Sequence, residues 1–491
     1  MQSSIPENRI RLTNSRSVRR DGVRVIYWMI ASRRVRFNYG LQRATDWARH
    51  LGQPLLILEA LRVDYPWAND RLHRFVIDGM ADTAAALDGR DVTYLPYIEP
   101  ERGAGRGLLE ALAADAAVVV TDDFPTFFLP AMVSAAADRI PVCLEAVDSN
   151  GLLPLAAAER DFVTAYSFRR FLQKELLGHL TDIPLEDPLA EELPPPIPHP
   201  AAIVQRWPAA TSKLLAGDKR ELAALPIDHS IRPAHVRGGS SAGTNLLQEF
   251  LSDRLDRYCA ERNRPGAEAT SGLSAHLHFG HVSAHEIFLE TMRRERWTPE
   301  DVIPPANGRR SGWWGVGKDA EAFLDQFATW RELGFNVCHH RPDHARWESL
   351  PDWAAGTLSR HARDRREHVY TIGEFTNAAT HDPLWNAAQT QLLREGTIHN
   401  YLRMLWGKKI LEWASEPREA LEIMIELNNR FALDGRDPNS YSGIFWVLGR
   451  HDRPWGPERP IFGTVRYMSS ANTARKFPVR AYLERYGGST P

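Results

Sequence analysis

The sequence predicts two domains of different class, an α/β N-terminal domain built on a Rossmann-like parallel sheet and an all-α C-terminal domain. Three observations carry this. Short apolar runs alternate with amphipathic helical segments over the first third of the chain. A stretch dense in proline and acid, LEDPLAEELPPPIPHP, interrupts the pattern between Leu185 and Pro200. Beyond it strand-like runs nearly vanish and helical spacing dominates.

Each element follows from its residues. VRVIYWMI (23–30), PLLILEAL (54–61), VTYLPYIE (92–99), AAVVVTDD (116–123) and IPVCLEAVD (140–148) are short apolar runs of the kind that form buried strands. YGLQRATDWARHLG and LHRFVIDGMADTAAALDG lie between them with helical periodicity, so right-handed βαβ units and a parallel sheet are expected. Residues 1–22 read as a polar N-terminal arm, basic but without the apolar run of a secretory signal. The α/β domain is expected over 23–183 and an interdomain linker over 184–236, where proline neither continues a helix nor enters a sheet interior. The helical domain is expected over 237–491, with NLLQEFLSDRLDRYCAERN and DAEAFLDQFATWRELGFNVC as typical helical stretches.

Composition narrows the class of function. The chain has 491 residues, 43% of them hydrophobic and 25% charged, and no apolar run reaches the roughly 18 residues of a membrane span. A soluble, cytoplasmic, monomeric protein is expected. Three cysteines far apart in sequence argue against a disulfide framework and against a four-cysteine metal or iron–sulfur site. A formal net charge of -2 confines any nucleic-acid surface to a local patch.

Tryptophan is the informative residue. Eleven of the fifteen lie between Trp297 and Trp455. Trp406 and Trp413 are seven apart in YLRMLWGKKILEW, two turns along one helical face, and Trp385 precedes them in HDPLWNAAQTQLL. Aromatic rings so arranged can pass electrons between a buried redox cofactor and solvent.

The segment THDPLWNAAQTQLLREGTIHNYLRMLWGKKILEW, followed by LNNRFALDGRDPNSYSGIFWVLGRHDRPWGPERPIFGTVRYM, resembles the flavin-binding core of the photolyase/cryptochrome family, closest to the class II cyclobutane pyrimidine dimer photolyases. RYCAERNRP, TSGLSAHLHFG and FATWREL resemble the family's other flavin-domain signatures in the same order, and ASRRVRFNYGL and VVTDDFPTFFLP its N-terminal domain. The likeness spans residues 23 to 480.

The resemblance implies FAD bound by Tyr258, Thr270, Ser271, Leu273, Ser274, Arg331, Asn400, Arg403, Asp434 and Asp437, with an ion pair between Arg403 and Asp434. The hydroxyl and backbone N–H groups of TSGLS suit phosphate oxygens on chemical grounds as well. Asn428 matches the asparagine near flavin N5; its neighbour is Asn429 where the family has aspartate. Trp406 matches the flavin-proximal electron donor, Trp385 the next and Trp413 the distal one, serving photoreduction of FAD to its active reduced anion. Trp330, Met404 and Trp446 match the wall that receives a flipped lesion, and Arg450, Arg453 and Arg466 are expected to contact phosphates of ultraviolet-damaged DNA.

The implied reaction is light-driven electron transfer from reduced FAD to a cyclobutane pyrimidine dimer. An antenna chromophore such as 8-hydroxy-5-deazaflavin is expected in the N-terminal domain. One position departs from the pattern: the glutamate one helical turn before the WRE tryptophan is Gln326, while the adjacent Asp325, at helical spacing, is expected to point elsewhere. This keeps open a (6-4) photolyase or a signalling cryptochrome. Other classes find less support. His276, His278, His281 and His285, and His339, His340 and His344, cluster without an HExxH motif, so no metal is expected, and no GxGxxG follows VRVIYWMI to hold a dinucleotide.

Overall fold

The computed structural model describes residues 4–488. Its sheet has six strands, β1 (Ile10–Leu12), β2 (Val25–Met29), β3 (Leu55–Leu61), β4 (Val92–Ile98), β5 (Val118–Asp122) and β6 (Leu144–Val147), in the order β1-β6-β5-β2-β3-β4. The five apolar runs supply β2 to β6, and all of these pair in parallel. Every residue of β2, β5 and β6 is buried, as a parallel sheet covered on both faces requires. Helices α1 (Tyr39–Leu51), α2 (Asp70–Leu87), α3 (Leu108–Ala113) and α4 (Leu129–Arg139) lie between the strands along the chain. The order reverses at β2, with β3 on one side and β5 on the other, which makes a topological switch point.

Two compact units share the chain without respecting sequence order. The first comprises Met1–Glu159, Glu175–Gln248 and Gly272–Arg294; the second comprises Arg160–Lys174, Glu249–Ser271 and Glu295–Pro491. The boundaries expected at 183 and 237 therefore differ from these divisions. Residues 184–236 pack on the first unit: Leu189 and Leu193 join the core around Val25, Ile57 and Val120, while Leu214, Leu222 and Leu225 pack with Val76, Ile77 and Met80 of α2. A composition that forbids long helices still delivers leucines at intervals, and burying them fixes the segment.

The N-terminal arm also carries more structure than its polarity suggests. Within it β1 pairs antiparallel with β6, Ile10 opposite Val147. Three residues centred on an arginine offer no readable period. What anchors them is the buried Arg9, whose guanidinium donates to the carbonyls of Asp148, Gly151 and Leu152 at 3.3, 3.2 and 2.7 Å.

None of the six strands falls in the second unit. Its principal helices are α5 (Arg331–His340), α6 (Pro383–Glu395), α7 (Asn400–Trp413), α8 (Pro417–Phe431) and α9 (Pro438–Val447). Two begin alike. The Asp382 carboxylate accepts the N–H groups of Leu384 and Trp385 at 3.0 Å, the Asp437 carboxylate that of Asn439 at 2.8 Å, and proline follows each as the first helical residue. On α7, a Cβ at Gly407 would lie 2.6 Å from Val447 of α9 and 3.1 Å from Met424 of α8. Only glycine lets the three helices approach so closely, and α7 carries Asn400, Arg403, Met404, Trp406 and Trp413 of the candidate site.

Candidate functional site

α6 and α7 bring the three expected tryptophans into contact. Trp385 and Trp406 lie with ring planes within 4° of parallel and centroids 6.4 Å apart; Trp413 meets Trp385 edge-on at 6.1 Å. All three are buried. The Trp385 indole N–H donates to the backbone carbonyl of Trp406 at 3.0 Å, and the Trp406 indole N–H to Oε1 of Gln389 at 2.9 Å. At the Trp413 end stand His381, ring to ring at 4.9 Å, and Tyr370 at 5.8 Å, whose hydroxyl lies 2.7 Å from His381 Nδ1.

Arg403, one turn before Trp406 on α7, forms a two-pronged ion pair with Asp434 at 3.0 and 3.2 Å. Its buried Nε has no hydrogen-bond partner among the described residues, nor has His399 Nδ1 just before the helix. Unpartnered buried donors beside a paired guanidinium suit a polar, electron-accepting ring, so these residues fit a flavin. Asn428 is buried and its amide donates to Ser440 Oγ at 2.5 Å. Asn400 opens α7 and is exposed. Arg331 is buried with its guanidinium 4.5 Å over Phe335. Asp437 is the cap of α9 already described, a structural duty that the sequence likeness did not reveal.

Tyr258 packs against Phe250 and Phe323 at 5.8 and 5.6 Å, and burial pushes its hydroxyl pKa up. The carbonyl of Thr270 accepts from Arg254 at 3.2 Å. The TSGLS motif is divided, with Thr270 and the half-buried Ser271 in the second unit and the buried Leu273 and exposed Ser274 in the first.

Gln326 lies in a π-helical turn, Asp325–Trp330, that runs into α5. Here the backbone bonds reach five residues back. The Gln326 amide lies 3.4 Å from the Asp325 carboxylate, which Arg169 holds at 2.8 Å. Such turns recur at functional sites. Trp330, Met404 and Trp446 are half-buried, and the Met404 methyl lies 3.8 Å from where a Gly443 Cβ would stand.

The three arginines diverge. Arg453 is exposed and stacks 4.6 Å over Trp455; Arg466 stacks on the same indole at 4.0 Å and pairs with Asp452 at 2.8 Å. Arg450 points inward instead. It donates to the His344 carbonyl at 2.9 Å and to the Ser349 hydroxyl, lies 3.8 Å over Phe445, and burial lowers its pKa to about 10.

Three residues carry site geometry that sequence reasoning missed. Gln389 holds Trp406. Asn429 accepts the backbone N–H of Arg436 at 2.8 Å and so shapes the LDGRDP turn, where Arg436 takes a φ of 67°. Lys408 is wholly buried, donates to the Val447 carbonyl at 2.5 Å and lies 5.2 Å over the Trp446 ring. The run KK in YLRMLWGKK was the available signal, a charge on a face otherwise apolar.

The first unit holds a cavity of about 750 Å³ at the C-terminal ends of β2, β3 and β4, walled by Trp28, Tyr65, Tyr97 and Phe128 with Arg33 and Arg106 at polar points. Its size and apolar walls suit a flat aromatic molecule. The loop after β2 is closed to phosphate: Asp122 Oδ2 already accepts the N–H groups of Ile30, Ala31 and Ser32 at 2.8, 2.8 and 3.0 Å. The amides a dinucleotide would need are committed to the protein's own carboxylate. Among the described residues no group of three or more His, Cys, Asp or Glu could hold a metal ion, and no helix is long and apolar enough to cross a membrane.

No family model matches the chain. It is 33% identical over 485 residues to a deoxyribodipyrimidine photo-lyase of Methanothermobacter thermautotrophicus, covering 99% of both chains. A protein of the same name from Oryza sativa subsp. japonica is 33% identical over 477 residues, 94% of this chain and 86% of the relative. Among solved structures, a bacterial class III photolyase from Agrobacterium tumefaciens superposes with a TM-score of 0.66 at 17% identity, over 95% of this chain and 86% of that one. The structural likeness bears on fold alone.

Proposed function

This chain belongs to the deoxyribodipyrimidine photo-lyase family, and we propose that it is a class II enzyme that uses light to repair cyclobutane pyrimidine dimers in DNA, acting as a monomer with FAD. The observation that carries the reading is the buried contact series Trp406, Trp385, Trp413 beginning one turn from the Arg403–Asp434 pair. Bound FAD supplies the light absorption and the electron that hard C–C bond cleavage needs.

The residues of this chain do the rest. Arg403 and Asp434, with Asn428 and Tyr258, hold and orient the flavin; Thr270, Ser271, Leu273, Ser274, Arg331, Asn400 and Asp437 are the further candidates for that role. The tryptophans relay electrons inward from the Trp413 end to keep the cofactor reduced. Trp330, Met404 and Trp446 wall the lesion, whose extrusion costs about a few kcal/mol or less because a damaged step stacks poorly. Gln326 donates its amide to the pyrimidine carbonyls, a contact that needs no shifted protonation state. Arg453 and Arg466 hold phosphates, while the inward Arg450 supports the fold beneath them. The cavity at the sheet's C-terminal edge houses an antenna chromophore of the 8-hydroxy-5-deazaflavin type.

Gln326 favours one alternative, a (6-4) photolyase or a cryptochrome with the same flavin site. The test compares illuminated, FAD-loaded protein on DNA carrying one defined cyclobutane dimer and on DNA carrying one (6-4) product. Repair of the first is expected. Repair of the second alone moves the substrate, and repair of neither with photoreduction intact moves the protein to signalling.

A further inference from the structure

The indole hydrogens of the two inner members of the tryptophan series, Trp406 and Trp385, are given to weak bases. Removing an electron from an indole leaves a cation whose N–H is far more acidic than before, so the partner of that N–H decides what happens next. A basic partner takes the proton and leaves a neutral radical, which holds the vacancy where it is. A non-basic partner leaves the cation able to draw an electron from its neighbour.

Trp406 donates to the side-chain amide oxygen of Gln389, and Trp385 to a backbone carbonyl, both at hydrogen-bond distance in the buried interior. Neither acceptor binds a proton in the physiological range. Gln389 is itself 0% exposed and fixed by its NH2 group on the Thr376 carbonyl at 3.3 Å, so its oxygen cannot turn away from the indole. Among the described ring contacts, titratable side chains meet the series only at its outer end, where His381, Tyr370 and the Glu412-paired Lys409 face Trp413.

We infer that Gln389 is a positioning residue for electron transfer: its amide oxygen keeps oxidised Trp406 protonated, so the vacancy passes outward to Trp385 instead of being trapped beside the flavin. The step balances simply. Trp406 would give up one electron to the bound cofactor, which accepts it; one electron then passes from Trp385 to Trp406, and both N–H bonds stay intact. The inference rests on the proposed tryptophan relay. It adds the residue that sets the relay's proton chemistry.

Transient absorption of the FAD-loaded protein in H2O and in D2O tests it. In the unaltered protein the tryptophan radical is expected in its protonated form throughout outward transfer, with no solvent isotope effect. In Gln389→Glu burial raises the carboxyl's pKa, so it is neutral at about pH 7, where the protein is folded and outward transfer persists. At alkaline pH the carboxylate takes the proton, giving a neutral radical in a step slowed by D2O and loss of steady photoreduction. An unaltered protein that shows isotope-sensitive proton loss before outward transfer overturns the inference. So does a folded, flavin-binding Gln389→Glu that photoreduces alike at every pH. A distinct result, normal photoreduction in Trp406→Phe, removes the relay itself and the inference with it.

Discussion

Lys408 combines an ionisable amine with complete burial, and the balance of those two facts is measurable. Burial lowers its pKa from 10.5 to about 7, with nearby Asp452 opposing the shift and Arg466 adding to it. The ammonium is tied to the last carbonyl of α9, at Val447, where the helix dipole favours a cation. In the unfolded chain the same lysine keeps its proton to about pH 10.5, so between the two values the unfolded state binds more protons and stability rises with pH. Lys408→Met should remove that rise: the denaturation midpoints of the two proteins converge or cross between pH 7 and 10.5. Parallel pH curves would mean that the lysine is charged in both states. At the inner end of the relay, Trp406→Phe is expected to abolish photoreduction while chemically reduced protein still repairs, checked by steady illumination with and without dithionite.

At the scale of elements, the helices that build the site are written into their first residues. HDPLW and RDPNS each place an aspartate cap before proline, and each starts a helix there, α6 and α9. The cap explains Asp437 without a ligand, which yields a discriminating pair of variants. Asp437→Ala should cost about 1 kcal/mol and Asp437→Asn almost nothing, because asparagine caps as well as aspartate. Flavin lost from the asparagine variant at unchanged melting temperature would show that the carboxylate serves the cofactor instead. The five parallel strands were equally legible, as continuous apolar runs. What sequence did not show were elements set by a few specific bonds: β1, held by Arg9 on three carbonyls, and the π-turn at 325–330, where Arg169 holds the Asp325 carboxylate. The tryptophan series was readable because seven-residue spacing survives folding. Its acceptor Gln389 was not, since a glutamine four residues after Trp385 looks like any polar helix position.

On the whole-molecule scale both units bury neutral histidines, and this governs how the protein meets acid. His73 and His276 in the first unit and His399 and His451 in the second are lowered from 6.5 to about 4, chiefly by burial, and His281 lies well below its usual value for the same reason. The packing is tight: a Cβ on Gly79 would stand 2.4 Å from His281 Nε2, while His281 Nδ1 accepts the Gly239 N–H at 2.9 Å. A proton added to that ring would have no acceptor, since Nε2 is buried without a partner among the described residues. The sign follows from proton counts. Below pH 6.5 the unfolded histidines take up protons that the folded ones refuse, so stability falls as pH falls toward 4. Each histidine contributes a slope of about 1.4 kcal/mol per pH unit, and several acting together make the loss steep. Unfolding followed by far-ultraviolet circular dichroism should therefore begin below pH 6.5 and be complete near pH 4, and His281→Leu should flatten the slope by about one proton. A protein that keeps its full ellipticity at pH 4 would show that these side chains ionise in place, and that the burial seen around them does not hold in solution.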